Sequence, residues 1–410
     1  MTPRLTVAFV PRERFSLAAK SLESVLQGVD VPYNLIIVNP NYPEQYWSET
    51  QEVLDRLKPN LLRDLQVFTV DHYILPNASK NIVLDNLKTE LVLMIENDNF
   101  VTPGFASLAS RALDEEEADV LIPVLVEGKP GSKKVHFDTR LGSVIEKETA
   151  AGKEMSILPR KGLDRLDGKG GRTRVEFMEQ HCLLFRTEIF KRIGHYDERL
   201  NTRDEIDLSL NLRRAGARVI RENAWIVNYI PPFPPNRDDL DYFLFKWDLE
   251  QAAKSHEIIT KKWSIVAFPG SLEFVKYRRT VGRLLDFRAM IQTHVDFRSR
   301  FLLIDGGWLS GGHELIRGLS AVPFVEREGK FYGHPLDDDD AINELKKIEA
   351  DGICTVIIMW YLDWYRSTYP RFWKYLYDHY GMSASSECVT ILRRYDSVFK
   401  APRLVLTMPT

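Results

Sequence analysis

From Leu5 onward, short apolar, β-branched runs alternate with longer stretches in which apolar positions recur every three or four residues. The first pattern suits strands buried on both faces, and the second suits helices with one buried stripe. Strands are predicted at Leu5 to Val10, Leu35 to Asn39, Leu65 to Val70, Glu90 to Ile95 and Val120 to Leu125, with helices between them. The run LVLMI at Leu91 to Ile95 is apolar at every position, as a central parallel strand requires. Ser16 followed by Leu17, Leu22, Val25 and Leu26 fits a capped helix with one buried stripe. The alternation predicts an α/β fold with a mostly parallel sheet and flanking helices, which takes ligands beyond the carboxyl ends of its strands.

Between Glu127 and Arg174 the pattern dissolves into a Gly-, Lys- and Arg-rich stretch with little apolar surface to bury, an expected mobile excursion. Regular structure is expected again at Glu176 to Phe185, with a helix at Thr187 to Ile193, before the Pro-rich segment YIPPFPPN. Asp241 to Asp286 reads as helical and polar. A smaller α/β unit follows, with strands at Phe301 to Ile304, Cys354 to Met359 and Cys388 to Leu392 and helices at Asp340 to Glu349 and Pro370 to Tyr380. The expected division is a first domain over 1–265, a helical linker over 266–298 and a second α/β domain over 299–410.

At 410 residues, the chain exceeds one typical core, in keeping with two domains. A net charge of −3 supplies no global positive field, which argues against nucleic acid and leaves phosphorylated ligands to be met locally. Cys182, Cys354 and Cys388 are odd in number and widely spaced, which excludes a disulfide framework and favours a reducing compartment. No apolar run reaches the length of a signal-peptide core or a membrane span, so a cytoplasmic protein is expected, at most resting on a membrane surface.

Two acidic segments carry candidate chemistry. VLMIENDNF puts Glu96, Asp98 and Asn99 directly after a buried strand, at the ligand edge of the sheet. Carboxylates there suit Mg²⁺ or Mn²⁺, which take one or two protein carboxylates beside a substrate diphosphate; an acidic turn that solvates a strand end is the plain alternative. NTRDEIDLSLNLRRAG opens a predicted helix with Asp204, Glu205 and Asp207 in or near its first turn, where the helix dipole favours ionised carboxylates. An ionised carboxylate can act as general base for a sugar hydroxyl, whereas acidic residues also decorate helix starts for stability alone.

Other features have simpler explanations. The aromatic stretch Trp225 to Trp247 could stack on sugar rings or pack a linker, with Asp238, Asp239 and Asp241 solvated. IDGGWLSGGHEL lacks the spacing of a phosphate-binding loop and reads as a turn, and the run Asp337 to Asp340 reads as a helix N-terminus. None of the nine histidines forms an H-E-x-x-H pair; His181 and His195 could approach the cleft of the first domain, with packing as the plainer role of both.

Taken in order, the strand and Pro at Thr6 to Pro11, the strand and turn at Leu35 to Pro40, NASKN at Asn77 to Asn81, LVLMIENDN and the block RIGHYDERLNTRDEIDLSLNLRRAG resemble the family 2 glycosyltransferases of the GT-A fold over residues 4–230. The resemblance implies that Pro11 and Asn39 lie near a nucleobase, Lys80 and Asn81 near the nucleotide, and Asn97 and Asp98 on the nucleotide sugar. Glu96 and Asp98 would occupy the Asp-x-Asp positions that hold Mn²⁺ or Mg²⁺. Glu205 would be the catalytic base, with Asp204 in reserve. Asn39 replaces the family's usual Asp, Glu96 its first Asp, and Asn228 a frequent metal-binding His, which puts the strength of the metal requirement in question.

The activity implied is inverting transfer of a sugar from a nucleoside diphosphate to a glycan, lipid-linked or small-molecule acceptor. The C-terminal stretch is similar to accessory α/β domains of sugar-transferase polypeptides. A retaining transferase, a sugar nucleotidyltransferase and a non-catalytic sugar-nucleotide-binding protein on the same fold remain as alternatives.

Overall fold

A computed structural model of the chain describes residues 2–57, 59–132, 134–136, 142–159, 171–231, 237–266, 272, 275, 278–279, 284–296, 299–304, 321–324, 326–327, 330–331, 335, 337–358, 366–386 and 389–398. The chain divides into two compact units, Met1–Val275 and Lys276–Thr410. The Gly-rich turn after Ile304, the Pro-rich segment after Pro231 and Cys388 fall outside the described residues.

The first unit begins β1 (Leu5–Val10), α1 (Ala18–Gly28), β2 (Tyr33–Pro40), α2 (Glu44–Leu57), β3 (Leu62–Val70), α3 (Pro76–Asp85) and β4 (Leu91–Glu96). The chain continues through β5 (Asn99–Val101), α4 (Phe105–Glu115), β6 (Val120–Glu127), β7 (Lys134–Val135), the hairpin β8 (Gly142–Thr149) and β9 (Gly152–Pro159), then β10 (Arg172–Arg174). β11 (Cys182–Arg186), α5 (Ile189–Ile193), α6 (Asp204–Arg214), β12 (Val219–Tyr229), α7 (Leu240–Lys246) and α8 (Leu249–Trp263) complete it.

The main sheet has the order β10-β12-β6-β11-β4-β1-β2-β3. The pairs β3/β2, β2/β1, β1/β4 and β6/β12 are parallel, while β11 runs antiparallel between β4 and β6. The fold is therefore mixed α/β with a large, mostly parallel sheet, as the alternation of runs predicted. Alternate residues of the central strands feed two cores. Leu5, Val7, Phe9, Leu91, Leu93 and Ile95 pack on one face with α1 and α4 residues such as Val25 and Phe105. Ala8, Val10, Val92 and Met94 pack on the other with Val83, Leu208 and Leu212 from α3 and α6. Burial on both faces is why these strands read as continuous apolar runs.

Some local expectations are corrected. Ser16 does not cap α1, whose preceding residue Leu17 makes no side-chain cap; Ser16 instead donates to the Asp239 carboxylate through its backbone N–H, at 2.8 Å, and its hydroxyl. Asp239 is accordingly buried at 2% exposure rather than solvated. The excursion after Glu127 includes the hairpin β8/β9, in which Val144 and Met155 are buried against Ile206, Leu210 and Ile259.

In the second unit, α9 (Leu284–His294) precedes β13 (Phe301–Ile304), β14 (Ala321–Pro323) and the short pair β15 (Glu326–Arg327) and β16 (Lys330–Phe331). α10 (Asp338–Ala350), β17 (Thr355–Ile358), α11 (Pro370–His379), β18 (Tyr380–Ser385), β19 (Thr390–Arg394) and α12 (Tyr395–Val398) follow. The sheet order is β14-β13-β17-β19-β18, and its core joins Leu302, Ile304, Val356 and Ile358 to Leu345, Phe372 and Leu376. The Asp337 side chain caps α10 by accepting from Asp340 N at 2.9 Å. No helix among the described residues is long and apolar enough to cross a membrane.

Candidate active site

The parallel order of β1 and β4 fixes where chemistry can gather. Val10 pairs with Glu96, so both strands end level, and the segments that leave them meet at the carboxyl edge of the sheet. Asn97 joins the two. Its backbone N–H donates to Val10 O at 3.0 Å, and its Oδ1 accepts from Arg12 N at 2.9 Å, clasping the buried Pro11 between them. Its Nδ2 faces the Tyr42 hydroxyl at 3.1 Å, and Tyr42 N in turn donates to Asn39 Oδ1 at 2.8 Å. Asn39, Tyr42 and Asn97 thus form one hydrogen-bonded rim beside Pro11.

Glu96, Asn97, Asp98 and Asn99 are all 0% exposed. Burying charge at this depth costs several kcal/mol per ion unless it is paired, and the pairing is explicit. Arg12 Nη1 lies 3.0 Å and Lys80 Nζ 3.5 Å from the same Glu96 oxygen, Oε1. Burial alone would raise the Glu96 carboxyl, but the charges of Arg12 and Lys80, with the His181 ring beside it, outweigh it and hold the group well below the usual carboxylate range. Asp98 also feels the charges of Arg12 and Arg14, but they do not prevail. Burial, then the neighbouring Glu96 charge, push it well above its ordinary value. One Asp98 oxygen accepts from Asn99 Nδ2 at 3.0 Å, while Oδ2 is buried without a hydrogen bond.

The second acidic segment is linked to the first through two side chains. Lys80 Nζ donates to Gln180 Oε1 at 2.8 Å, and Gln180 Nε2 donates to Asp204 Oδ2 at 3.1 Å. Glu96, Lys80, Gln180 and Asp204 therefore form a continuous polar chain from the end of β4 to the first residue of α6. The residue before α6, Arg203, is in the left-handed region at φ 62, which is uncommon strain for a non-glycine residue and recurs at functional sites.

Glu205 departs from the ionised state expected of a helix start. Burial, together with the charges of Asp204 and Glu179, pushes its carboxyl up to about 8, so desolvation and like charge exceed the helix dipole. Asp207 is occupied structurally: its carboxylate accepts from Lys262 Nζ and Trp263 Nε1, both at 2.8 Å, tying α6 to α8.

Asn81 and Asn228 also have local duties. Asn81 bonds the Tyr196 backbone N–H and carbonyl, each at 2.9 Å, and fixes the loop that leads towards α6. Asn228 donates to the carbonyls of Gly128 and Lys129, both at 3.2 Å. The residues missed in the sequence are Arg12 and Gln180, along with the buried pair of Glu13 and Lys246 at 2.7 Å, while His181, for which packing was the plainer expectation, lies beside Glu96. No short motif contains them. The one available signal was that Arg12 and Glu13 follow a strand end directly, as Glu96 and Asp98 do.

Among the described residues, two groups of side chains are compact enough to hold a metal ion: Glu96, Asp98 and His181, and His136, Glu179 and His181, with the ligand atoms of each group within 4.8 Å of one another. In the first group Glu96 Oε2, Asp98 Oδ2 and His181 Nδ1 are buried without a well-directed hydrogen bond, so the donor set fits a cation.

No family model and no curated protein match the chain. Among solved structures it is similar to GalNAc-T7 crystallised with UDP, GalNAc and Mn²⁺, at 12% identity and a TM-score of 0.41, over 68% of this chain and 58% of that one. It is similar also to residues 1–349 of S. aureus TarS in complex with UDP-GlcNAc, at 14% identity and a TM-score of 0.41, over 77% and 81% of the two chains. TarS 1–349 in complex with UDP gives 16% identity and a TM-score of 0.39, over 70% and 77%. The chain spans little more than half of the GalNAc-T7 structure, and likenesses at this level assign no activity.

Proposed function

We propose that the first unit is a nucleotide-sugar-dependent glycosyltransferase of the GT-A type, working by inverting displacement with a carboxylate base. The observation that carries this reading is the polar chain from Glu96 through Lys80 and Gln180 to Asp204, which joins the two acidic motifs at the carboxyl edge of a mostly parallel sheet. An anionic leaving group and an acceptor hydroxyl need two distinct acidic centres close together, one to hold a cation and one to take a proton.

In this reading Asp98, with Glu96, holds a divalent cation, Mn²⁺ or Mg²⁺. The cation, when bound, stabilises the negative charge that develops on the departing diphosphate. Asp98 would have to be ionised to hold the cation, since ligand carboxylates bind in the deprotonated form. Arg12 and Lys80 add positive charge at the same edge, while Pro11, Asn39, Asn97 and Asn81 shape the nucleotide side. The acceptor oxygen bonds to the anomeric carbon as the bond from that carbon to the diphosphate oxygen breaks, its electron pair leaving with the diphosphate. Glu205 takes the acceptor proton, and its raised pKa makes it a stronger base once ionised. Asp204 positions it from the adjacent site.

The deciding experiment offers UDP-, GDP- and dTDP-sugars to the full chain with Mn²⁺, Mg²⁺ or chelator, and determines the anomeric configuration of any product. Turnover with an inverted product supports the reading. A retained configuration removes the inverting assignment, and failure to bind or turn over any donor removes the enzyme.

A further inference from the structure

We infer that His181 is a third ligand of the cation held by Glu96 and Asp98, so that this site takes a divalent transition-metal ion in preference to Mg²⁺. The inference rests on the cation reading above and adds a residue to it. His181 precedes β11, which lies antiparallel beside β4, so its ring is delivered to the end of β4 by strand pairing: Cys182 pairs with Ile95, and Glu96 N donates to His181 O at 3.0 Å.

The geometry suits an ion. His181 Nδ1 lies 2.9 Å from Glu96 Oε2, yet neither atom has a well-directed hydrogen bond, and Asp98 Oδ2 is equally unpartnered. Two carboxylate oxygens and a ring nitrogen buried without a well-directed hydrogen bond are costly as they stand. Adjacent ligands of an octahedral ion at about 2.1 Å lie about 3.0 Å apart, and opposite ones about 4.2 Å. The observed 2.9 Å matches the adjacent spacing, and the 4.8 Å limit on the whole group leaves only a small contraction.

Arg12 and Lys80 both engage Oε1 of Glu96, which leaves Oε2 to the ion. The His181 ring packs against Tyr229, with centroids 3.9 Å apart and the planes tilted by 33°. A nitrogen ligand shifts a carboxylate site away from Mg²⁺, which favours oxygen.

The test is titration of the full chain with Mn²⁺ alone, followed by the loss of the free-ion electron paramagnetic resonance signal and by pulsed measurement of ¹⁴N coupling to the bound ion. The expected result is a bound ion coupled to nitrogen, displaced poorly by Mg²⁺. His181→Ala should weaken Mn²⁺ binding at least tenfold and abolish the coupling, and His181→Gln should recover part of the affinity without the coupling. The wild-type spectrum decides even if a variant fails to fold.

Bound Mn²⁺ without ¹⁴N coupling would overturn the role of His181 and leave the cation on the two carboxylates intact. Coupling lost in His136→Ala but kept in Asp98→Asn would place the ion in the neighbouring His136 and Glu179 group and also overturn it. No Mn²⁺ binding at all would overturn it as well, while donor turnover in chelator would separately decide whether the transferase reading survives.

Discussion

The two acidic segments look alike in the sequence and differ sharply in the fold. At Glu96 to Asn99 the charge is fully covered, and Glu96 is matched by Arg12 and Lys80. At Asp204 to Asp207 the first two carboxylates are only half-buried, and burial with like charge holds the Glu205 proton. Asp207, in the same helical turn, is neutralised by Lys262. Charge state therefore follows the partners that the fold supplies. Residue type and position on a helix are weaker guides.

The sharpest way to break the comparison is Glu205→Gln. If this is the base, kcat should fall by about 10²- to 10⁴-fold with donor binding retained, measured with saturating donor; an unchanged kcat would move the base elsewhere. Arg12→Met comes next, because it leaves Glu96 buried with only Lys80 as a nearby cation. A loss of about 3–5 kcal/mol is expected from urea unfolding, the cost of breaking a buried pair. A neutral result would mean that Glu96 is protonated or wetted.

The pH dependence separates the two segments further. The Glu205 carboxyl is raised in the fold from 4.5 to about 8, so the folded state binds more protons there than the unfolded chain. Stability from this group is full below pH 4.5 and falls as pH rises towards 8. Thermal unfolding at pH 5 and pH 8 should therefore show a decline that Glu205→Gln reduces. Over the same window kcat/KM should rise with pH as the base ionises, and that limb should vanish in the variant. Smallest is Asp207→Asn, which weakens charge-assisted bonds from Lys262 and Trp263. About 1–3 kcal/mol of stability should be lost, and an activity loss beyond that would give Asp207 a direct role.

Much of the frame was legible in the chain. LVLMI at Leu91 to Ile95 announced a central strand because it is buried on both faces, and the acidic residues after it had to emerge at the sheet edge. Asp337 announced the start of α10. Ser16 misled because its partner, Asp239, is 223 residues away. Gln180 was equally invisible: it matters only because it stands between Lys80 and Asp204, which lie far apart along the chain.

By itself the sequence determined the alternation of β1 to β4 and β6 with helices, and that acidic residues end β4 and open α6, since hydrophobic periodicity and turn chemistry are local. Only the tertiary structure decided which of those carboxylates are pushed towards or away from ionisation, which are paired and which keep an oxygen without a hydrogen bond. Desolvation and Coulomb forces depend on neighbours brought together by strand pairing, as His181 is brought to Glu96 by β11, and spacing along the chain carries no trace of them.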